Sequence, residues 1–446
     1  MTSTEPTTGT PGRSSHTPLE PAANVTESHA PSGEADTGNN DGERQPSGTF
    51  AALTAPVFRI MFASSGMMYF ALQGAMAARG WLAKESNAGL GGVMFGFGIA
   101  MVLTSFPGGV LADRLPKRTI MAISYVILAA SSLWLAVQMD LGQLDYWMVV
   151  AASALQGMAF AIMAPARMAF TAEVVPRSLL PNAIALGQLN LNLMKIVGPM
   201  IAGWVIGISD SNGPMWLYYA ASGLTLMALA LLTRLPAGNP SPDKEVHRPF
   251  VEFKEGVRYV ADHPELRVIV GTSLIIVMFG FPFVTFMPRV ATVLLDRGAE
   301  VFGLLTAAQG LGAFVAAYFV AKRISLDTGW TLQFVGGFSF GASLLAMAFA
   351  PNLIVALFVV GLLGATNAGF QIANNSLALM IAKPEYHGRV QSFLLLSFGA
   401  FGIAAWPLGL LADALGLRAT FAIMACIVMT TSLTAWSMRP RTLATP

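Results

Sequence analysis

The stretch GGVLADRLPKR, residues 108–118, is the part of this chain whose reading decides the fold. An apolar run of about 20 residues, enough to cross the hydrocarbon of a bilayer, ends at it, and another begins where it stops. Pro116 breaks the helical pattern and Arg114, Lys117 and Arg118 crowd the turn. Gly109 allows a neighbouring helix close approach, and Asp113 falls where the first run ends. A basic loop closed by a tight turn explains the cations. It does not explain the acid, because a carboxylate at that depth needs a partner such as a helix N-terminus or an arginine.

Outward from this hairpin the same alternation fills the chain. Apolar runs lie near 57–78, 88–111, 118–138, 145–169, 180–207 and 214–234. A second set lies near 266–288, 300–321, 329–349, 352–381, 390–411 and 416–437. Of the 446 residues 54% are hydrophobic and only 11% charged, where a soluble domain carries about 25% charged. The expectation is an all-α integral membrane protein with twelve transmembrane helices in two six-helix pseudo-symmetric halves. A net charge of +2 gives no reason to expect a nucleic-acid partner. The histidines (16, 29, 247, 263 and 387) show no metal-ligand spacing, so neither metal nor cofactor is expected. The single cysteine, Cys426, sits in an apolar run and reads as a buried packing residue.

The chain divides by composition. Residues 1–49 are rich in Thr, Ser, Pro, Gly and acids, lack an apolar segment, and are expected to be a disordered N-terminal tail with no signal peptide. Residues 50–235 form the N-terminal half and 264–438 the C-terminal half, with a C-terminal tail at 439–446. Between the halves, 236–263 reads as a linker with an amphipathic helix. Phe250, Phe253, Val257 and Val260 share one of its faces, opposite Glu252, Glu255 and Arg258, as in a helix lying on a membrane surface.

Loop charges orient the chain. Arg114, Lys117, Arg118, Arg177, the cations of the linker, Lys322, Arg323, Lys383 and Arg389 fall on one side. Arg79, Lys84, Arg289, Arg297 and Arg418 fall on the other. The richer side is cytoplasmic, which puts both termini inside. Echoes such as GVLADRLPKR with AAYFVAKR, and EVVPRSLLPNAIAL with KPEYHGRVQSFLLL, suggest an internal duplication. Two halves around a midplane site is the usual plan of a secondary transporter.

The candidate site is a set of polar residues inside spans. Gln188, Asn192 and Lys195 are spaced i, i+4, i+7 and share one face of the fifth span, with Pro199 continuing the stripe. Lys195 is about 21 Å from Pro181 at ~1.5 Å per residue, too deep for easy snorkelling. The tenth span carries a like stripe in Asn367, Gln371 and Asn374, with Asn375 beside it. Two readings of each stripe stand. The residues line a wet cavity, or Lys195 pairs with a helix-end acid and the amides bond between helices. Phe281, Phe283, Phe286 and Trp406 suit either a pliable apolar pocket or lipid-facing packing.

The hairpin resembles the major facilitator superfamily, whose loop signature is Gly-x-x-x-Asp-Arg/Lys-x-Gly-Arg/Lys-Arg/Lys. Gly109, Asp113, Arg114, Lys117 and Arg118 are in register, with Pro116 in place of the second glycine. The resemblance implies that these five residues form a conformational switch motif. ARGWLA, PARMAFTAEVVPRSLLPNAIAL, GVRYVADHPELR, GRVQSF and LADALGLRATF are similar to the enterobactin-exporter and macrolide-efflux branch. GPMIAG is similar to the antiporter motif, placing Gly198, Pro199 and Gly203 in it with Ala202 replacing one glycine; an ordinary Gly/Pro kink explains it equally well. Many drug/proton antiporters have Arg-x-x-Gln-Gly in the fourth span, where this chain has SALQG with Ser153.

The resemblance implies a secondary active transporter of a bacterial inner membrane, an exporter working by alternating access. Its partners would be the lipid bilayer, a small amphipathic organic substrate such as a siderophore, drug or secondary metabolite, and a coupling proton. No Asp or Glu falls in the middle of a span, so the proton is implied by the family alone. A cavity with a cation and no acid favours an anionic or neutral cargo. An importer, or a lipid or metabolite transporter of the same fold, is the alternative. A membrane-embedded enzyme would need a catalytic cluster within the spans and a sensor an added folded domain, and neither is found.

Overall fold

The computed structural model describes residues 50–209, 212–238, 249–383 and 386–439. The tails expected at 1–49 and 439–446 lie outside these, apart from Arg439, as does most of the linker's first part.

Helices form where the apolar runs predict them: α1 (Pro56–Leu82), α2 (Asn87–Arg114), α3 (Lys117–Asp140), α4 (Tyr146–Val174), α5 (Leu180–Ile208) and α6 (Gly213–Leu232). After the linker come α7 (Pro249–Asp262), α8 (Pro264–Gly280), a single turn α9 (Met287–Arg289), α10 (Ala299–Ala321), α11 (Leu326–Ala348), α12 (Leu353–Ile381), α13 (His387–Leu415) and α14 (Leu417–Ser437). Among the described residues there is no strand, and ten helices are long and apolar enough to cross a membrane.

Local chemistry sets several boundaries. Asp145 accepts the Trp147 N–H at 3.0 Å and starts α4. Asn352 accepts from Val355 and starts α12, and Ser325 forms a capping box with Thr328 at α11. Proline occupies the first turn of α1, α5, α6 and α8, where its missing N–H costs nothing. The span expected at 266–288 is irregular beyond Gly280. A 3-10 turn at Phe281–Val284, α9 and a π-turn at Val290–Leu294 extend it, with Pro282 and Pro288 removing helical donors.

The packing repeats itself. In the first six helices α1 lies on α5 and α6, α3 on α4 and α6, and α2 on α4. In the last set α8 lies on α13 and α14, α11 on α12 and α14, and α10 on α12. These are the same pairings with each helix replaced by its counterpart. The two groups meet along two further contacts, α2 on α13 and α5 on α10. Glycine makes these approaches possible. A methyl group added at Gly98 would sit 2.7 Å from the backbone of Gly402, and one at Gly203 equally close to Gly303.

Large apolar side chains point outward all round, such as Ile354 at 80% and Phe358 at 73% exposure. In a bilayer these meet acyl chains. Cys426 is on this outer surface too, so it is not the buried packing residue expected. Hydrophobicity alone does not distinguish a core-facing from a lipid-facing position. Phe283 and Phe286 are fully buried against Phe340 and Phe421, so they serve as core rather than as pocket or lipid surface.

The linker helix α7 does not simply rest on lipid. Tyr259 and Val260 are buried in a cluster with Leu266, Trp330, Leu377 and Val390. Tyr259 stacks on Tyr386 at 3.8 Å between centroids, and Glu255 pairs with Arg389 at 3.1 Å. Val257 remains exposed, and the side chains of Phe250 and Phe253 lie outside the described residues.

Candidate functional site

The two helix groups are fastened at one end, the end that carries residues 82–87 and 295–298. Asp413, near the end of α13, accepts the N–H of Asn87 at 2.9 Å, the Asn87 side-chain amide at 2.8 Å and the N–H of Ala88 at 2.9 Å. One carboxylate thereby satisfies the free donors at the start of α2 and meets its positive dipole end. Beside it Arg289 donates to the carbonyls of Lys84 and Glu85 at 3.1 and 2.9 Å, just beyond α1. An acid at a helix start and a cation at nearby carbonyls hold the same loop from both sides.

The face of α5 that carries the predicted stripe changes character along its length. Pro199, Ala202 and Ile206 are buried near the fastened end. Gln188, Asn192 and Lys195, on the same face farther along, are exposed. The GPMIAG segment is the turning point. An added methyl at Gly198 would meet the Gln73 side chain of α1 at 2.8 Å, while Gly203 abuts α10. Gly198 thus seats α5 on its own group and Gly203 seats it on the other.

The α12 stripe is not equivalent. Asn374 is fully buried, and its carbonyl oxygen accepts a hydrogen bond from the Gln333 amide on α11 at 2.7 Å. It serves as an interhelical link. Asn367 and Gln371 are half-buried, and the Gln371 amide nitrogen has no hydrogen-bond partner among the described residues.

Of the loop motif, the side chains of Gly109, Asp113 and Arg114 lie outside the described residues, although their backbone completes α2. Arg118 donates to the carbonyls of Leu235 at 2.5 Å and Thr233 at 3.4 Å, closing the end of α6 within its own helix group. Lys117 is 97% hidden, with a relative exposure of 3%.

Two further cations stand inside the bundle. Arg79, expected in a loop, is fully buried in α1 and donates to the Ser153 hydroxyl at 2.7 Å. Ser153 is the residue that stands in place of an arginine in the SALQG segment, so a guanidinium reaches that spot from α1 instead. Arg167, on α4, has its guanidinium 5.4 Å from the Tyr69 ring centroid. Neither was visible in sequence, since each is a lone cation within a few turns of a span end. Among the described residues no group of His, Cys, Asp or Glu could hold a metal ion.

The chain matches the transmembrane secretion effector family over residues 47–444. It is similar to the staphyloferrin A transporter of Staphylococcus aureus, with 22% identity over 74% of this chain and 83% of that one. It is also similar to the multidrug efflux pump Tap of Mycobacterium bovis, with 28% identity over 62% and 67%. Among solved structures the D-xylose–proton symporter aligns with a TM-score of 0.72 at 15% identity, over 87% of this chain and 99% of that one. At that identity the likeness is one of fold.

Proposed function

This chain belongs to the transmembrane secretion effector family, a branch of the major facilitator transporters, and we propose that it exports small amphipathic organic molecules by alternating access. The family and the structural neighbours are transporters, not enzymes. In the proposed arrangement α1–α6 form one half of six spans. The second half is built from the broken span α8–α9 and α10–α14, with both termini cytoplasmic in a bacterial inner membrane. The repeated helix pairings support this division, and the basic loops support the orientation.

The observation that carries the function is the α5 face, covered at the Asp413 end and open at Lys195. A lysine and two amides exposed to lipid at that depth would cost several kcal/mol. Lining a water-filled cleft between the halves removes that cost. With the basic loops inside, this arrangement would be closed toward the outside and open toward the cytoplasm, ready to load. Rocking of the halves would release the Asp413 cap and close the other end. There Gly109, Asp113, Arg114, Lys117 and Arg118 would act as the switch that the family pattern assigns to them. Gln188, Asn192 and Lys195, with Asn367 and Gln371 opposite, would meet cargo. A cleft with a cation and no midplane acid suits anionic or neutral molecules. A coupling proton would have to use an acid at a span end, such as Glu173 or Asp413.

The test is flux in liposomes containing the purified protein under an imposed pH gradient. A panel of amphipathic acids, neutral compounds and cations is offered. Gradient-dependent movement of at least one compound is expected, and Asp113→Asn should reduce it at least tenfold with membrane insertion intact. No gradient-dependent flux for any compound would defeat the reading. Movement only in the inward direction would favour the importer.

A further inference from the structure

We propose that Arg167 anchors a second, shallower binding site, which takes the negatively charged group of an amphipathic cargo before it reaches Lys195. The inference rests on the transporter reading above.

The site is a small recess of about 30 Å³ between α1, α4 and α5. Phe58, Phe62 and Met168 give it an apolar wall, and Arg167, Thr171 and Gln188 give it a polar one. This is the composition of a small-molecule site, mostly apolar with a few convergent polar groups. Its walls are pinned. The Asn190 amide donates to the Phe62 carbonyl at 2.9 Å and ties α5 to α1. Thr171 donates to the Arg167 carbonyl at 2.8 Å and firms the turn of α4 that carries the guanidinium. Gly187 leaves room for that group, since a methyl there would lie 3.3 Å from Arg167 Nη1.

Among the described residues no carboxylate forms an ion pair with the Arg167 guanidinium, and its Nε is buried without a hydrogen-bond partner. The Tyr69 ring beneath it offers a cation–π contact, which orients the planar group but fills none of its donors. A guanidinium presents five donors in a fork that matches a carboxylate, phosphate or sulfonate. The recess therefore sets the guanidinium fork beside an aromatic wall. The charged head of an amphipathic anion would enter the recess to meet the fork, while its apolar body stays outside it.

Position connects the recess to the deeper site. Gln188 lines it and also begins the exposed stripe of α5. From the level of Gly187 to Lys195 is about 12 Å along the helix at ~1.5 Å per residue. Two cations at successive depths on one open face would pass an anion inward from the loading mouth. An anionic lipid headgroup shares this chemistry. Continuity with the α5 stripe favours cargo, and lipid is an outcome of the test.

The experiment measures binding of pyrene-1-butanoate and its neutral amide to the purified full chain in phosphatidylcholine nanodiscs, with empty discs subtracted. Arg167→Met should weaken the butanoate roughly 10- to 150-fold, the range for a lost charge-assisted hydrogen bond. It should leave the amide within about twofold, and Arg167→Lys should fall between. Lys195→Met in the same assay separates the two depths. An Arg167→Met loss that persists in the Lys195→Met background supports a site of its own. Equal weakening of butanoate and amide, with a lowered melting temperature, would make Arg167 structural and overturn the proposal. Loss of butanoate binding on replacing half the lipid with phosphatidylglycerol would assign the recess to lipid and also overturn it. Gradient-driven flux of neutral compounds by a protein indifferent to charge at Arg167 would sink the inference while leaving the transporter intact. Absence of all flux would sink the transporter reading itself.

Discussion

The stripes on α5 and α12 carry polar residues at the same i, i+4 and i+7 spacing, yet the folded chain uses them differently. On α5 the stripe is open through Gln188, Asn192 and Lys195 and closes only beyond Pro199. On α12 its last member, Asn374, is sealed and held by Gln333. Spacing fixes which residues share a face. It does not fix what that face meets. For α5 the neighbour across the seam is α10, which approaches backbone to backbone at Gly203 and Gly303 and meets the Ile196 side chain at Gly310. For α12 the neighbour is α11, packed along its length with a glutamine at the right height. One polar face becomes a surface and the other a joint.

The contrast can be broken most sharply at Lys195. Lys195→Met should weaken an anionic cargo roughly 10- to 150-fold and a neutral one much less, with Lys195→Arg keeping part of the affinity. Binding of paired charged and neutral analogues to the purified variants reads this directly. Comparable losses for both, with reduced thermal stability, would show Lys195 to be a joint like Asn374.

The opposite pattern is expected at Asn374. Asn374→Ala leaves the Gln333 amide without its acceptor in a dry interface. That should cost about 1–2 kcal/mol of stability, seen as a melting temperature lower by a few degrees. Cargo affinity, measured on the protein that remains folded, should change less than twofold. A large affinity loss at unchanged stability would return Asn374 to the cavity.

The smallest effect belongs to Asn192. Its amide is exposed and, among the described residues, ties no second helix, so Asn192→Ala should leave the melting temperature within about a degree. It should cost cargo about 0.5–1.5 kcal/mol, the worth of one neutral hydrogen bond, or roughly 2- to 12-fold in affinity. Titration against the wild type checks both numbers, and a marked fall in melting temperature would contradict the exposed placement.

Much of the architecture was legible because a bilayer leaves few options for a polypeptide. Backbone groups must be satisfied within each span, so long apolar runs can only become helices. The runs at 57–78, 118–138 and 352–381 reappear as α1, α3 and α12 with ends shifted by a few residues. The run at 266–288 was read as one regular span, and Pro282 and Pro288 were the signals of its irregular end. Arg79 was assigned to a loop because it lies near a span end, where snorkelling is the common habit of a cation. Its burial depends on Ser153, 74 positions away, offering an acceptor. Arg167 escaped notice for the same reason, and its recess exists only where α1, α4 and α5 converge.

By itself the sequence determined that this protein is built of membrane-spanning helices, where most of them begin and end, and which residues share a helical face. Hydropathy and periodicity are local, and the bilayer converts them into structure with little ambiguity. Only the tertiary structure decided that Asp413 caps α2, that Asn374 is a joint and that Arg167 lines a recess with α1 and α5. Each of these depends on a partner far along the chain, and burial and pairing are properties of the two together.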